Sequence, residues 1–227
     1  MPIVEITADR IDTVHPTSFE AERFRERGDL QRLLRDHIEV VATEVMVVAE
    51  EFGDWADSKR RIDLLGLDKD ANLVVFELKR TNDGGHMELQ AIRYAAMVST
   101  MTFDQVVAAH ETYLAKRGNP GDGREAILEF LGWVEPNVLE FAQSVRIVLV
   151  AEGFSKELTT AVMWLNQHDL DIRCVRLTPY LISERLLIDV QHTIPSQKPP
   201  NIRYRFETRR SKNGLPGTHN ATTPSST

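Results

Sequence analysis

A single cysteine, Cys174, stands in a chain of 227 residues, which excludes an internal disulfide and any zinc site built from several cysteines. No apolar run approaches the roughly 20 residues that cross a bilayer. The opening MPIVEITADR carries an acid by position 5 and no basic-then-apolar leader, so a cytoplasmic protein without a membrane partner is expected. Positive charge is scarce: 27 Lys and Arg stand against 34 Asp and Glu, a net charge of -7, which argues against a globally basic nucleic-acid coat. A local basic strip beside an acidic centre would be hidden in that sum. Also missing are GxxxxGKS/T, GxGxxG behind a strand, HExxH and GxSxG; phosphate-loop, dinucleotide, zincin and serine-hydrolase chemistry therefore have no foothold. The seven histidines are scattered.

What is present is the composition of a globular protein, 42% hydrophobic and 27% charged, with room for one sizeable core. Residues 208–227 are rich in Ser, Thr, Gly, Pro and Asn and lack apolar periodicity, which predicts a disordered tail after a single domain over 1–207. Leu30, Leu33, Leu34, Ile38 and Val41 form a helical stripe in a helix expected over Phe19–Val41. Strands are expected at Thr43–Glu50, Ser144–Ala151, Asp171–Leu177 and Leu186–Val190, and a hairpin at Arg61–Leu67 and Leu73–Leu78. Helices are expected at Met87–Met101, Phe103–Lys116 and Lys156–His168, with one or two short helices over Glu125–Ala142 broken at Pro136. The alternation predicts an α/β domain, a mixed central β-sheet flanked by helices on both sides.

The hairpin carries the chemistry. With Asp68–Asn72 as the turn and Leu67 opposite Leu73, paired positions sum to 140 and Asp63 falls across from Glu77. Opposed residues on antiparallel strands hold their Cβ atoms about 4.5–5.5 Å apart. Two carboxylates so close among apolar neighbours are hard to keep ionised, and a hard divalent cation, Mg2+ or Mn2+, resolves the conflict. Lys79, two positions beyond Glu77, shares its face and can orient an attacking water or offset phosphoryl charge. Glu-x-Lys alone is as common in an edge salt bridge; the register with Asp63 is what favours chemistry.

These residues resemble the PD-(D/E)XK nuclease superfamily. Arg61-Ile-Asp-Leu-Leu65, Phe76-Glu-Leu-Lys-Arg80 and Gln90-Ala-Ile-Arg-Tyr94 look like the catalytic domain of NucS-like, RecB-type endonucleases, and Glu26-Arg-Gly-Asp-Leu-Gln31 is similar to the helix that opens it. The likeness runs from about Phe19 to Val107; Ile62 stands where the superfamily motif has proline. It implies a restriction-endonuclease-like core, Asp63 and Glu77 as metal ligands and Lys79 as partner of the attacking water. It further implies a carboxylate from the first helix: Glu26, with Glu20, Glu22 and Asp29 as competitors and Glu50 and Glu51 able to approach as well. Gln90 and Tyr94, four apart on one helix face, resemble the Gln-x-x-x-Tyr motif that follows the lysine strand, where the amide could hold a phosphate and the ring could stack or hydrogen-bond near the scissile strand.

Basic groups gather beside this centre, Arg60, Arg61, Arg80 and Arg93 among them, where phosphate contacts would position DNA. Arg203, Arg205, Arg209 and Arg210 make a further basic stretch. The expectation is a metal-dependent DNA nuclease, an endonuclease in repair or defence, for which a homodimer is allowed. The competing reading keeps the fold as a nucleic-acid-binding or assembly module without catalysis.

Overall fold

The structure, a computed structural model, describes residues 3–53, 61–81 and 86–194. Among them the elements run β1 (Ile3–Ile6), β2 (Ile11–Val14), a π-helical turn (Glu26–Gln31) leading into α1 (Arg32–Asp36), a 3-10 turn (Ile38–Val40), β3 (Val45–Phe52), β4 (Ile62–Asp68), β5 (Leu73–Lys79), α2 (Met87–Val98), α3 (Phe103–Lys116), α4 (Gly123–Leu131), β6 (Val145–Ala151), α5 (Lys156–Gln167), β7 (Asp171–Ile182) and β8 (Arg185–Ile194).

Strands β3 to β8 form one mixed sheet in chain order. The pairs β3/β4, β4/β5 and β7/β8 are antiparallel, while β5/β6 and β6/β7 are parallel. Parallel neighbours need a crossover, and the helices α2–α4 and α5 supply the two. Strand β4 is buried along its whole length and β5 up to Lys79, which explains their near-continuous apolar sequences. Alternation then sorts side chains to two cores. Leu65, Leu67, Leu73 and Val75 pack with Ala91, Tyr94 and Val106; Leu64, Val74, Phe76 and Leu78 pack with Phe19, Leu30 and Leu34. The expected α/β class, a mixed sheet covered on both faces, is what the chain forms.

Caps fix the helix starts. Thr102 Oγ1 accepts from Gln105 N–H while Gln105 Oε1 accepts from Thr102 N–H, a reciprocal box before α3. Asp122 and Ser155 cap α4 and α5 one way, each side chain accepting the backbone N–H three residues on.

Several boundaries differ from expectation. The helix expected over Phe19–Val41 is broken: Arg23 sits at φ +57, Asp29 Oδ2 takes the Arg25 N–H at 2.9 Å, and only the stretch from Glu26 is helical. Competing side-chain acceptors and a left-handed residue outweigh the apolar stripe. The segment expected to hold helices up to Ala142 keeps one, because Gly132 at φ +70 closes α4. β7 and β8 are longer than expected and pair with each other along most of their length, a tertiary gain that single-strand patterning misses. The β1/β2 hairpin was not foreseen; its mostly exposed residues give little periodicity. All described residues belong to one compact unit; the expected boundary at 207, the tail over 208–227 and the basic stretch over 203–210 lie outside the described residues.

Candidate active site

The β4/β5 ladder pairs Leu67 with Leu73 through to Leu64 with Phe76, the expected register sum of 140. It stops there. Asp63 and Glu77 are therefore not a ladder pair, as the extrapolated register had them; they flank the point where the strands part. Asp63 Oδ2 accepts the Leu78 backbone N–H at 2.8 Å, a donor left over at the ladder's end. Asp63, Glu77 and Lys79 share the face that packs against α2, since Leu65, Leu67 and Val75 of the same alternation all join that core.

Glu77 is fully buried and Asp63 only 7% exposed. Glu77 Oε1 lies 3.0 Å from Lys79 Nζ, yet neither oxygen receives a well-directed hydrogen bond among the described residues. Burial, and then the neighbouring Asp63 charge, pushes Glu77 up to about 8. Burial likewise raises Asp63 to about 6, against the opposing pull of the Leu78 N–H and Lys79. Burial alone would lower the Lys79 ammonium, but Glu77 and then Glu26 outweigh it and hold it above its ordinary value.

Glu26 is set apart from its competitors. Its Oε2 accepts the Arg80 backbone N–H at 3.0 Å and its Oε1 lies 3.7 Å from Lys79 Nζ. Glu22 is engaged by Thr17, Asp29 by Arg25, and Glu50 by Arg35 and Gln31. Only Glu26 of the first-helix acids thus reaches the Glu-x-Lys strand among the described contacts. The π-helical turn, not a regular helix, aims it there.

Would these residues suit a divalent cation? Two buried carboxylates, Asp63 and Glu77, with one ammonium, Lys79, 3.0 Å from Glu77 Oε1, offer hard oxygen donors and more negative charge than Lys79 offsets, which fits Mg2+ or Mn2+. Among the described residues no three His, Cys, Asp or Glu side chains converge on one point. Asp63 and Glu77 would thus hold an ion with its remaining positions left to water and phosphate oxygens, the habit of Mg2+.

The other nominated residues divide. Gln90 Nε2 donates to Tyr94 Oη at 3.1 Å, so the pair shares one face of α2 as expected. Tyr94 is 1% exposed, which removes it as a stacking platform and leaves its hydroxyl as its polar contribution. Arg93 is exposed on α2 and Arg80 is half-buried. Arg61 is exposed and donates from Nη1 to the Glu51 carbonyl at 3.2 Å. Arg60 lies outside the described residues. Sequence reasoning missed Arg27, whose Nε sits 3.3 Å from Glu51 Oε1. A groove of about 660 Å³ opens beside Glu51, with Phe52, Arg61, Met97, Gln105 and Lys116 in its walls.

No family model matches the chain, and no curated protein matches it by sequence. Among solved structures it is similar to a repair endonuclease from Pyrococcus abyssi, at 20% identity and a TM-score of 0.38, over 67% of this chain and 47% of that one. It is also similar to EndoMS in complex with dsDNA, at 16% identity and a TM-score of 0.38, over 78% of this chain and 64% of that one. The chain thus spans about half of the first protein and just under two thirds of the second.

Proposed function

We propose that the protein is a Mg2+- or Mn2+-dependent deoxyribonuclease, an endonuclease of the PD-(D/E)XK type that hydrolyses phosphodiester bonds. The observation that carries this reading is Glu77: fully buried, 3.0 Å from Lys79 Nζ, without a well-directed hydrogen bond among the described residues, and raised by the neighbouring Asp63 charge. A buried ion pair is a weak stabilising device, because desolvation offsets its attraction, so stability alone does not account for Glu77 beside Lys79. An ion held by Asp63 and Glu77 would withdraw charge from a phosphoryl oxygen and lower the pKa of the attacking water. Lys79, kept protonated by Glu77 and Glu26, orients that water and offsets charge on the phosphate; an ammonium already protonated does not take the water's proton. Glu26 fixes Lys79 and the Arg80 backbone. Water oxygen bonds to phosphorus as its proton passes to bulk solvent, the bond to the 3′ oxygen breaks, and that oxygen takes up a proton from solvent, leaving 5′-phosphate and 3′-hydroxyl ends. Arg61, Arg80 and Arg93 would supply phosphate contacts around the centre, with Gln90, which donates to Tyr94 Oη, contributing from α2.

DNA as substrate rests on those cations and on the likeness read in the sequence; repair or defence is the corresponding role, with a homodimer compatible. The test is cleavage of labelled single-stranded, duplex and branched DNA with Mg2+ or Mn2+. Cleavage that disappears in Glu77→Ala and Lys79→Ala supports the reading; cleavage that survives both refutes it.

The absence of a third converging acid among the described residues favours a second reading, a nucleic-acid-binding or assembly module without catalysis. Calorimetric titration with Mn2+ separates the two: DNA binding without Mn2+ binding at Asp63 and Glu77 selects the second.

A further inference from the structure

Glu50 and Glu51 are neighbours at the end of β3 and are held in opposite ways. Glu50 accepts from Arg35 Nη1 at 2.8 Å and from Gln31 Nε2 at 3.1 Å, a fixed structural contact. Among the described residues Glu51 has one ion contact, Arg27 Nε at 3.3 Å from Oε1, too poorly aligned to count as a hydrogen bond for that buried oxygen. Its backbone carries φ +49, a conformation unfavourable for a residue with a side chain. Its carbonyl accepts from the second arginine, Arg61.

Two cations therefore converge on one residue, and both are open to solvent. The Arg27 side chain is 71% exposed and Arg61 is exposed. Arg27 directly follows Glu26, which holds Lys79; Arg61 lies two positions before Asp63, immediately ahead of β4. The charge of Glu51 helps to raise Asp63, and Glu51 and Arg61 both line the groove formed with α3. Arg27 meets the Glu51 carboxylate through one loose contact and Arg61 rests on the Glu51 carbonyl, so both exposed guanidinium groups keep donors to spare, and a phosphate offers arginine more acceptor oxygens than these contacts use.

We propose that Arg27 and Arg61 form a clamp for a backbone phosphate next to the scissile one, and that Glu51 occupies the clamp as a stand-in anion until nucleic acid displaces it. The clamp rests on the nuclease reading for its purpose, and it directs the bound strand from the Asp63–Glu77 centre toward the groove between β3 and α3. Glu51 is thus a competitor of the substrate and not a part of its binding.

The competition sets the signs of the test. Fluorescence anisotropy of the full chain with fluorescein-labelled single-stranded and duplex oligonucleotides, in EDTA to prevent cleavage, is followed from 50 to 300 mM KCl. Glu51→Gln is expected to bind about 3–10-fold more tightly, because a charge that opposes the phosphate has gone. Arg27→Gln, at an exposed position that the fold does not need, is expected to bind about 3–10-fold more weakly, with a salt slope smaller by about 0.7–0.9. Arg27→Lys should keep the slope. Weaker or unchanged binding by Glu51→Gln, or an unchanged slope in Arg27→Gln, overturns the clamp. Loss of Mn2+ affinity in Glu51→Gln, measured by calorimetry, overturns it too by making Glu51 a ligand. A parent protein that binds no oligonucleotide removes the clamp and the DNA substrate together, whereas cleavage insensitive to Glu77→Ala removes the proposed catalysis and leaves the clamp standing.

Discussion

Leu78 gives its backbone N–H to Asp63 Oδ2 at 2.8 Å, just beyond the last ladder pair, Leu64 with Phe76. The bond ties Asp63 to the strand that carries Glu77 and Lys79 without neutralising it. It also shows why the strands part where they do: continued pairing would direct the Leu78 donor to backbone and release the carboxylate. Four expectations follow from the charges this arrangement confines.

Stability without metal should fall as pH rises. Burial lifts Glu77 to about 8 and Asp63 to about 6, above their ordinary values, so between the ordinary carboxylate range and about pH 8 the folded chain binds protons that the unfolded chain has released. Stability then declines with pH across that window. Thermal melts in EDTA from pH 5 to 9 should show a falling midpoint, and saturating Mn2+ should flatten the curve, because an ion that binds only the folded chain takes the protons' place. A midpoint that climbs over this range in EDTA contradicts the charge assignment.

Glu77→Gln should stabilise the metal-free protein and abolish its activity. The amide removes a buried charge and can donate as well as accept; a gain of about 1–3 kcal/mol at pH 8 is expected, the scale of one unsatisfied buried group. Urea unfolding in EDTA measures it. A Glu77→Gln protein less stable than the parent at that pH would mean that the Glu77–Lys79 contact outweighs the cost of burying the carboxylate.

Lys79→Met should leave Mn2+ binding by calorimetry within a few-fold of the parent while cleavage drops about 10²–10³-fold, the loss typical of one donor aimed at developing charge. Equal losses in binding and rate would instead make Lys79 a scaffold for Glu77.

Glu26 acts through others, on Lys79 at 3.7 Å and on the Arg80 N–H at 3.0 Å. Glu26→Gln retains an acceptor for the N–H and should cost about 10-fold in cleavage rate, with Glu26→Ala about 100-fold, the range for groups that orient ligands from behind. Both should shift the alkaline limb of the pH–rate profile downward, since the Lys79 ammonium loses a supporting charge. A profile that does not move assigns Glu26 to the fold alone.

Much of this was legible in the residues. Apolar runs at Leu64–Leu67 and Leu73–Phe76, separated by an Asp- and Asn-rich turn, admit one register, and the sum of 140 follows. The grouping of Glu77 with Lys79 needs only strand alternation. What failed to show was long-range. Arg23 at φ +57 and the Asp29–Arg25 contact break a helix whose stripe reads as continuous, and that break is what turns Glu26 toward Lys79, 53 positions away in sequence. The stop of the ladder before Asp63 depends on a side chain competing with backbone, which no periodicity reports. Tyr94 reads as half-polar in sequence and is a core residue, because α2 turns that face to the sheet.

The most direct measurement is anomalous diffraction from crystals grown with Mn2+. The account expects a single strong peak within coordination distance of both Asp63 and Glu77 carboxylates, absent in crystals of Glu77→Ala. No peak there at saturating Mn2+, or a peak bound by other side chains while Glu77 keeps its ion contact with Lys79, would contradict it.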